Sequence, residues 1–171
     1  MTTNQSPRVA FIGSRAAPPQ VLATGRCLAR IVHRAGYALV SGGAAGFDTV
    51  VDGIPGVIVY PPGHKQHTPA HDKAMDIVLS LHPAPDRARK YGRYLARDVF
   101  IITGDAFDAL VWAVVCWTPD GKDSGGTGNG IRVANHYNVP VFNLHRLPWQ
   151  WVAQQLVGKQ WRHYEDERWR D

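Results

Sequence analysis

The chain has 171 residues, of which 44% are hydrophobic and 19% are charged, and its formal net charge is +5. This length predicts one domain with a substantial core, and the composition excludes a fibrous or a largely disordered chain. The moderate positive charge favours anionic partners, such as nucleotides or nucleic acid, without selecting one of them.

Apolar runs that break at glycine or proline alternate with segments of helical spacing along the chain. Strands are predicted over residues 8–14, 37–43, 56–63, 109–117 and 139–144. Helices are predicted over residues 18–36, 44–53, 64–100, 124–138 and 148–158. The segment 64–100 is expected to be mostly helical, with an interruption at Pro83 and Pro85 and with Asp86 as a candidate N-cap after it. The alternation predicts an α/β fold: a single-domain, Rossmann-like, doubly wound and mainly parallel sheet with helices on both faces.

The cysteines and the lengths of the apolar stretches indicate where in the cell the protein works. Cys27 falls in a predicted helix and Cys116 in a predicted strand, which favours two small core residues over a disulfide bridge. The first residues lack an apolar signal core, and no stretch approaches 18 apolar residues. We therefore expect a cytoplasmic protein without a membrane span.

Stretches rich in glycine, serine and charged residues follow four of the five predicted strands. The stretches are "GSR" (13–15), "SGGAAGFD" (41–48), "YPPGHK" (60–65) and "DSGGTGNG" (123–130). Two of them are serine–glycine–glycine loops that open a helix, where free backbone N–H groups and the helix dipole favour a phosphate. Because the carboxyl ends of parallel strands share one edge, these loops predict a nucleotide-like ligand there, with its base stacked on Trp117 or Tyr60 unless those rings are core. Neither a P-loop nor a G-x-G-x-x-G motif is present.

In combination and order, these pieces resemble the SLOG superfamily, the Rossmann-like group that includes the DNA-processing protein DprA and the LOG phosphoribohydrolases. The matching stretches are "FIGSR" (11–15), "VSGGAAGFD" (40–48), "GVIVYPPG" (56–63), Arg97 and "SGGTGNGIRVA" (124–134) followed by "VPVFNL". The resemblance implies a nucleotide-binding domain over residues 1–147, a ligand-site position for Arg97 and a homodimer. Residues 148–171, with four of the six tryptophans, form an aromatic and charged tail, either docked by Trp161 and Trp169 or serving as a partner surface.

Two departures from the superfamily patterns bear on activity. DprA proteins carry a loop like "SGLARGID", and Ala45 stands at the position of its arginine. LOG enzymes end their glycine motif in a catalytic glutamate, and Arg132 stands at that position. A cation cannot stabilise an oxocarbenium-like transition state or activate water as a carboxylate does, so Arg132 is predicted to bind the ligand. If the protein is an enzyme, an N-glycosidase of nucleotides, the candidate catalytic residues are Asp48, Asp123 and Arg97, where Asp48 is alternatively a helix-capping or ribose-binding residue and Asp123 an N-cap.

Two further clusters have alternative interpretations. His64, His67 and His71 have a helical spacing that suits zinc, but Pro69 interrupts the run, so we predict a polar loop or a lid over the ligand and no metal site. Arg89, Arg93 and Arg97 share one face of a predicted helix, and this face is either solvated or directed by Arg97 and Arg93 at the phosphate.

The sequence thus predicts binding of a nucleotide or nucleotide-derived small molecule, for sensing or sequestration without turnover and without a cofactor. The alternatives are LOG-like hydrolysis of a nucleoside 5′-monophosphate and DprA-like binding of single-stranded DNA. The predicted ligand-binding residues are Gly13, Ser14, Arg15, Ser41, Gly42, Gly43, Asp48, Arg93, Arg97, Trp117, Ser124, Gly125, Gly126, Thr127 and Arg132.

Overall fold

The computed structural model describes residues 6–162, which form five strands and six α-helices. The strands are β1 (Arg8–Gly13), β2 (Ala38–Ser41), β3 (Ile58–Val59), β4 (Ala113–Trp117) and β5 (Val141–Asn143). The α-helices are α1 (Pro19–Arg34), α2 (Pro69–Leu81), α3 (Pro85–Arg89), α4 (Gly92–Thr103), α5 (Gly125–His136) and α6 (Trp149–Val157). Two short 3₁₀ helices cover Phe47–Val51 and Gly158–Gln160.

All five strands are parallel, in the order β3-β2-β1-β4-β5. The chain builds outward from β1 to β3 and then crosses to the other side of β1 to add β4 and β5. The order of strands therefore reverses between β1 and β4, where the register aligns Gly13 with Trp117. The predicted Rossmann-like α/β fold is confirmed.

Side chains on the two faces of the sheet belong to two separate cores. Val9 and Phe11 of β1 pack with α1 and α6, whereas Ala10 and Ile12 pack with α2, α4 and α5. All five residues of β4 are buried. Near-continuous apolar runs are expected for parallel strands that are covered on both faces, which explains why β1 and β4 were visible in the sequence.

Several predicted boundaries were wrong for local reasons. Residues 64–68 form a turn, because Lys65 and His67 adopt positive φ angles, and α2 begins at Pro69 behind the N-cap Thr68. Asp86 lies inside the first turn of α3, and Ala84 is the N-cap. Residues 109–112 precede β4 as irregular chain, since the N–H of residues 109 and 111 donate to carbonyls at the end of α4.

The part of the tail that lies within residues 6–162 packs on the sheet. Val152, Ala153 and Leu156 of α6 are buried in the same core as α1, and the rings of Trp149 and Trp161 meet edge to face at 5.6 Å. Trp169 lies outside the described residues. Among the helices of residues 6–162, none is both long enough and apolar enough to cross a membrane.

Candidate functional site

The loops after β1 and β4 meet where the strand order reverses. The Ser14 N–H donates to the Trp117 carbonyl at 3.0 Å, which joins the end of β1 to the end of β4. In open α/β sheets, ligands bind in the crevice outside the carboxyl ends of the strands at this kind of reversal. The candidate site is therefore built on this edge.

The glycine-rich loop after β2 packs directly on the loop after β1. The Phe47 N–H donates to the Ser14 carbonyl at 3.1 Å. Gly46 has φ +88°, and a Cβ there would lie 2.4 Å from both the Ser14 carbonyl oxygen and the Arg15 Cα. Only glycine allows this approach, so the "SGGAAGFD" loop owes its third glycine to packing.

The Asp48 carboxylate accepts hydrogen bonds from the backbone of both loops. Its side chain is buried, Oδ1 accepts from the Gly13 N–H at 2.9 Å, and Oδ2 accepts from the Ala44 N–H at 3.3 Å. Burial raises the pKa of Asp48, while the Gly13 N–H and the charge of Arg97 act in the opposite direction. Ser41 belongs to the same structure, since its hydroxyl donates to the Asp48 main-chain carbonyl and accepts from the Gly43 N–H.

Arg97 is directed at protein acceptors. Its Nη1 donates to the Gly42 carbonyl at 2.6 Å and to the Tyr60 carbonyl at 3.5 Å, and the residue is only 8% exposed. A Cβ on Gly42 would lie 1.8 Å from Nη1, so Gly42 leaves the space that the guanidinium fills. Arg97, expected to point at a phosphate, thus fastens the ends of β2 and β3 to α4.

Two residues that the sequence reasoning missed complete this network. Asp98 Oδ1 lies 3.1 Å from Arg97 Nε, and Asp98 Oδ2 accepts from Asn129 Nδ2 at 3.0 Å. Asn129 Nδ2 also donates to the Leu95 carbonyl. Burial raises the pKa of Asp98 to about 6, although Arg97 and the Asn129 amide favour the charged form. The available signal was an Arg–Asp pair inside the otherwise apolar stretch "YLARDVFIIT", since charges in such a run are rarely buried without partners.

The first turn of α5 is open to solvent. Ser124 is the N-cap, but its side chain makes no capping hydrogen bond and instead donates to Asp120 at 3.0 Å. A Cβ on Gly125 or Gly126 would meet nothing within 4 Å. Because the first N–H groups of a helix have no intrahelical acceptor, those of Gly125, Gly126 and Thr127 are available to an anion.

A hydrogen bond joins Arg132 to Asp123 at the start of this loop. Arg132 Nη1 donates to the Asp123 main-chain carbonyl at 3.0 Å, and Gly128 fits beneath that carbonyl, where a Cβ would lie 2.1 Å from the oxygen. The Asp123 side chain is exposed and is not the N-cap, which is Ser124. Arg132 therefore folds back on the start of the loop.

The other predicted contacts fall into exposed and buried groups. Arg15 and Arg93 are exposed, and the Arg93 guanidinium lies 4.7 Å above the Tyr94 ring and donates to its hydroxyl. Trp117 and Tyr60, the two rings considered for base stacking, are 8% and 5% exposed and lie in the cores on opposite faces of the sheet. They are therefore core residues in this structure.

The histidines are separated by the structure. His64 Nε2 lies 2.6 Å from Asp105 Oδ1, His67 is exposed in the turn, and His71 lies in the first turn of α2. Among residues 6–162, no three His, Cys, Asp or Glu side chains are grouped so that they could hold a metal ion.

Comparison with known proteins shows a likeness in structure but none in sequence family. Neither a family model nor a curated protein matches the sequence. A solved structure of DNA processing protein A from Helicobacter pylori, described for its single-stranded DNA binding mode, matches with a TM-score of 0.55 and 23% sequence identity. The match covers 81% of this chain and 65% of the H. pylori chain. At this identity the likeness establishes the fold: the protein has a DprA-like Rossmann architecture.

Proposed function

We propose that the protein binds a nucleotide or nucleotide-derived small molecule through its phosphate at the carboxyl edge of the sheet. The observation that carries the proposal is the uncapped, open first turn of α5 beside the β1–β4 reversal. Backbone N–H groups at a helix start form a ready anion site, and the hydroxyl of Ser14 adds a donor at the end of β1. The exposed Arg15 supplies a cation that can pair with the phosphate.

The buried network beneath these loops supports the proposal by fixing them. Asp48 holds the backbone of Gly13 and Ala44, and Arg97 holds Gly42, so the edge is preorganised before a ligand arrives. Preorganisation reduces the loss of conformational entropy that accompanies binding. Arg97 and Asp48 are thus positioning residues in this proposal.

Two engaged carboxyl groups support binding without turnover, and the exposed side chain of Asp123 is the candidate that they leave for the N-glycosidase alternative. Asp48 and Asp98 are buried and satisfied by protein donors, and Arg132 stands where the LOG enzymes have glutamate. Glycoside hydrolysis requires carboxyl groups that reach the scissile bond. The homodimer and the cytoplasmic location implied by the sequence stay predictions.

A charged side chain at Gly126 tests the site without disturbing the fold. The position is helical, has a normal φ and faces open space, so Gly126→Glu and the neutral control Gly126→Gln both fit. An acidic residue in the first turn favours the helix, whereas it repels a bound phosphate. By calorimetry with AMP, ADP and pyrophosphate, we expect Gly126→Glu to weaken binding at least about tenfold more than Gly126→Gln. Equal affinities in the two variants would refute the phosphate site.

Turnover is tested on the same samples. We expect mass spectrometry to detect an intact nucleotide released from the denatured protein. After incubation of the protein with AMP, we expect it to detect intact AMP. Release of free base with ribose phosphate would establish the N-glycosidase alternative.

Single-stranded DNA binding is the second candidate function, and the structural likeness to DNA processing protein A favours it. It predicts an affinity for oligonucleotides that rises with their length and falls steeply with salt, because phosphate contacts release counterions. A discrete nucleotide would instead bind with an affinity that does not increase when further nucleotides are attached.

A further inference from the structure

We propose that a cavity beyond the ends of β4 and β5 holds the base of the bound nucleotide, and that it prefers a 6-oxopurine, the class of guanine and hypoxanthine. The inference rests on the proposed function and adds the identity of the base to it. The rings of Trp117 and Tyr60, which were expected to stack on the base, are core residues, so the base must lie elsewhere.

The cavity has a volume of about 340 Å³ and lies between the loop after β4 and the loop after β5. Three apolar and three exposed, charged side chains line it: Ile131, Val141 and Leu147, and Lys122, Asp123 and Arg146. Ligand pockets of this size are lined mainly by apolar groups, with a few polar groups that fix the orientation of the ligand. This combination suits a heterocyclic base, which has apolar faces and an edge of hydrogen-bonding groups.

One wall of the cavity continues directly into the proposed phosphate site. Lys122 and Asp123 precede Ser124, the N-cap of α5, and Ile131 lies on α5 itself. Lys122 is three residues before Gly125, so the Cα atoms of these two residues are at most about 11 Å apart. One sugar ring separates the phosphate of a nucleotide from its base. A single nucleotide therefore reaches from the first turn of α5 into the cavity.

Hydrogen bonds within the protein hold the loops that form the cavity. Asp120 Oδ1 accepts from the Lys122 N–H and from the Ser124 hydroxyl, both at 3.0 Å. Asn143 Nδ2 donates to the Thr118 hydroxyl at 2.8 Å, which joins the loop after β5 to the loop after β4. The cavity is thus formed before a ligand arrives, which reduces the loss of conformational entropy on binding.

Gly121 allows Arg146 to reach the cavity. Gly121 has φ +69°, and a Cβ there would lie 2.8 Å from Arg146 Nε and 2.9 Å from His145 Cδ2. Because glycine lacks this Cβ, the Arg146 side chain packs directly on the loop after β4. Two cations from different loops, Lys122 and Arg146, therefore line the same cavity.

These two cations determine which edge of a base the cavity favours. Within residues 6–162, neither Lys122 nor Arg146 forms an ion pair with a carboxylate. Both side chains donate hydrogen bonds and neither accepts them. A 6-oxopurine presents two acceptors, O6 and N7, on one edge, whereas adenine has a donating amino group in place of O6. Cationic donors therefore favour guanine and hypoxanthine over adenine, and uracil, which has no N7, offers O4 alone.

Asp123 adds an acceptor to the same cavity. Its carboxylate is exposed, and it too has no ion pair in the part of the chain that the structure describes. Guanine carries a donating 2-amino group, which hypoxanthine lacks. The Asp123 carboxylate is therefore expected to favour guanine over hypoxanthine.

Calorimetry with GMP, IMP, AMP, UMP and ribose 5-phosphate tests the inference. Ribose 5-phosphate has no base, so it measures the phosphate site alone. The variants are the double Lys122→Met/Arg146→Met and the single Asp123→Ala, all at exposed positions. The control is Arg89→Met/Lys90→Met at the end of α3, which removes the same charge from exposed residues outside the cavity.

We expect the wild type to bind GMP and IMP about tenfold more tightly than AMP, because a bidentate contact to O6 and N7 discriminates to about this extent. UMP should bind no more tightly than AMP. The double variant Lys122→Met/Arg146→Met should bring the ratio of GMP to AMP affinity to about one. GMP should bind more tightly than IMP, and Asp123→Ala should remove this difference. The control should keep both ratios of the wild type.

Three outcomes would overturn the inference. If AMP or UMP binds as tightly as GMP, while Gly126→Glu still weakens the binding of ribose 5-phosphate, the phosphate site stands and the cavity does not select a 6-oxopurine. If Lys122→Met/Arg146→Met weakens GMP, AMP and ribose 5-phosphate by the same factor, the two cations contact the phosphate and not the base. If none of the five compounds binds, the proposed function fails together with the inference.

Discussion

Gly42→Ala tests whether the end of β2 is shaped around Arg97. A Cβ at this position would lie 1.8 Å from Arg97 Nη1, 2.6 Å from its Cζ and 2.9 Å from Asp48 Oδ2. The guanidinium must therefore move, which breaks its 2.6 Å hydrogen bond to the Gly42 carbonyl and disturbs its 3.1 Å contact with Asp98. Because Arg97 is buried, the displaced group finds little water to replace these partners.

The expected loss follows from the interactions broken. A hydrogen bond to a charged group contributes about 1.5–3 kcal/mol, and a buried ion pair that loses a partner costs about 3–5 kcal/mol. Since the ion pair is strained but not removed, we expect a loss of about 3 kcal/mol in the free energy of unfolding. For a domain of this size that lowers Tm by about 6–12 °C.

Urea denaturation followed by circular dichroism measures this loss, with Gly126→Ala as the matched control. A Cβ at Gly126 meets nothing within 4 Å, and alanine favours a helix, so the control should be neutral or more stable by less than about 1 kcal/mol. The double variant Gly42→Ala/Arg97→Met completes a cycle, in which Gly42→Ala should cost little once Arg97 is absent. If Gly42→Ala unfolds within about 0.5 kcal/mol of the wild type, or costs the same in the Arg97→Met background, the packing argument is wrong.

Two further predictions concern buried titratable groups. The pKa of Asp98 is raised from 3.8 to about 6, so the folded state holds its proton more tightly than the unfolded chain, and this contribution to stability is complete below about pH 4 and is lost as the pH rises through about 6. Urea denaturation between these pH values should show the wild type losing stability relative to Asp98→Asn as the pH rises, and a constant difference would contradict the assignment. Burial raises the pKa of the Cys116 thiol to about 12, whereas Cys27 is partly exposed. Alkylation of the native protein near pH 8, read by mass spectrometry, should therefore modify Cys27 and spare Cys116 until the chain unfolds, and equal labelling of both would refute the buried placement.

The sequence by itself determined the fold class and the edge of the sheet at which the glycine-rich loops meet. Uninterrupted apolar runs such as 113–117, broken by glycine and alternating with helical spacing, predict a parallel sheet because a strand covered on both faces has no polar side. The glycine-rich loops follow those strands, and parallel strands bring their carboxyl ends to one edge whatever their order. The edge was therefore predictable from local patterns, although boundaries such as the start of α2 at Pro69 were not.

The tertiary structure alone decided what the polar side chains at that edge do. Arg97 and Arg93 share one helix face, yet only the packing of α4 against β2 buries Arg97 on the Gly42 carbonyl and leaves Arg93 exposed. Asn129 meets Asp98 across 31 positions of sequence, and local spacing carries no information on such a contact. Side-chain direction depends on how elements from distant parts of the chain pack together. The sequence thus located the edge, and the fold determined which of its polar side chains are buried in hydrogen-bond networks and which are exposed.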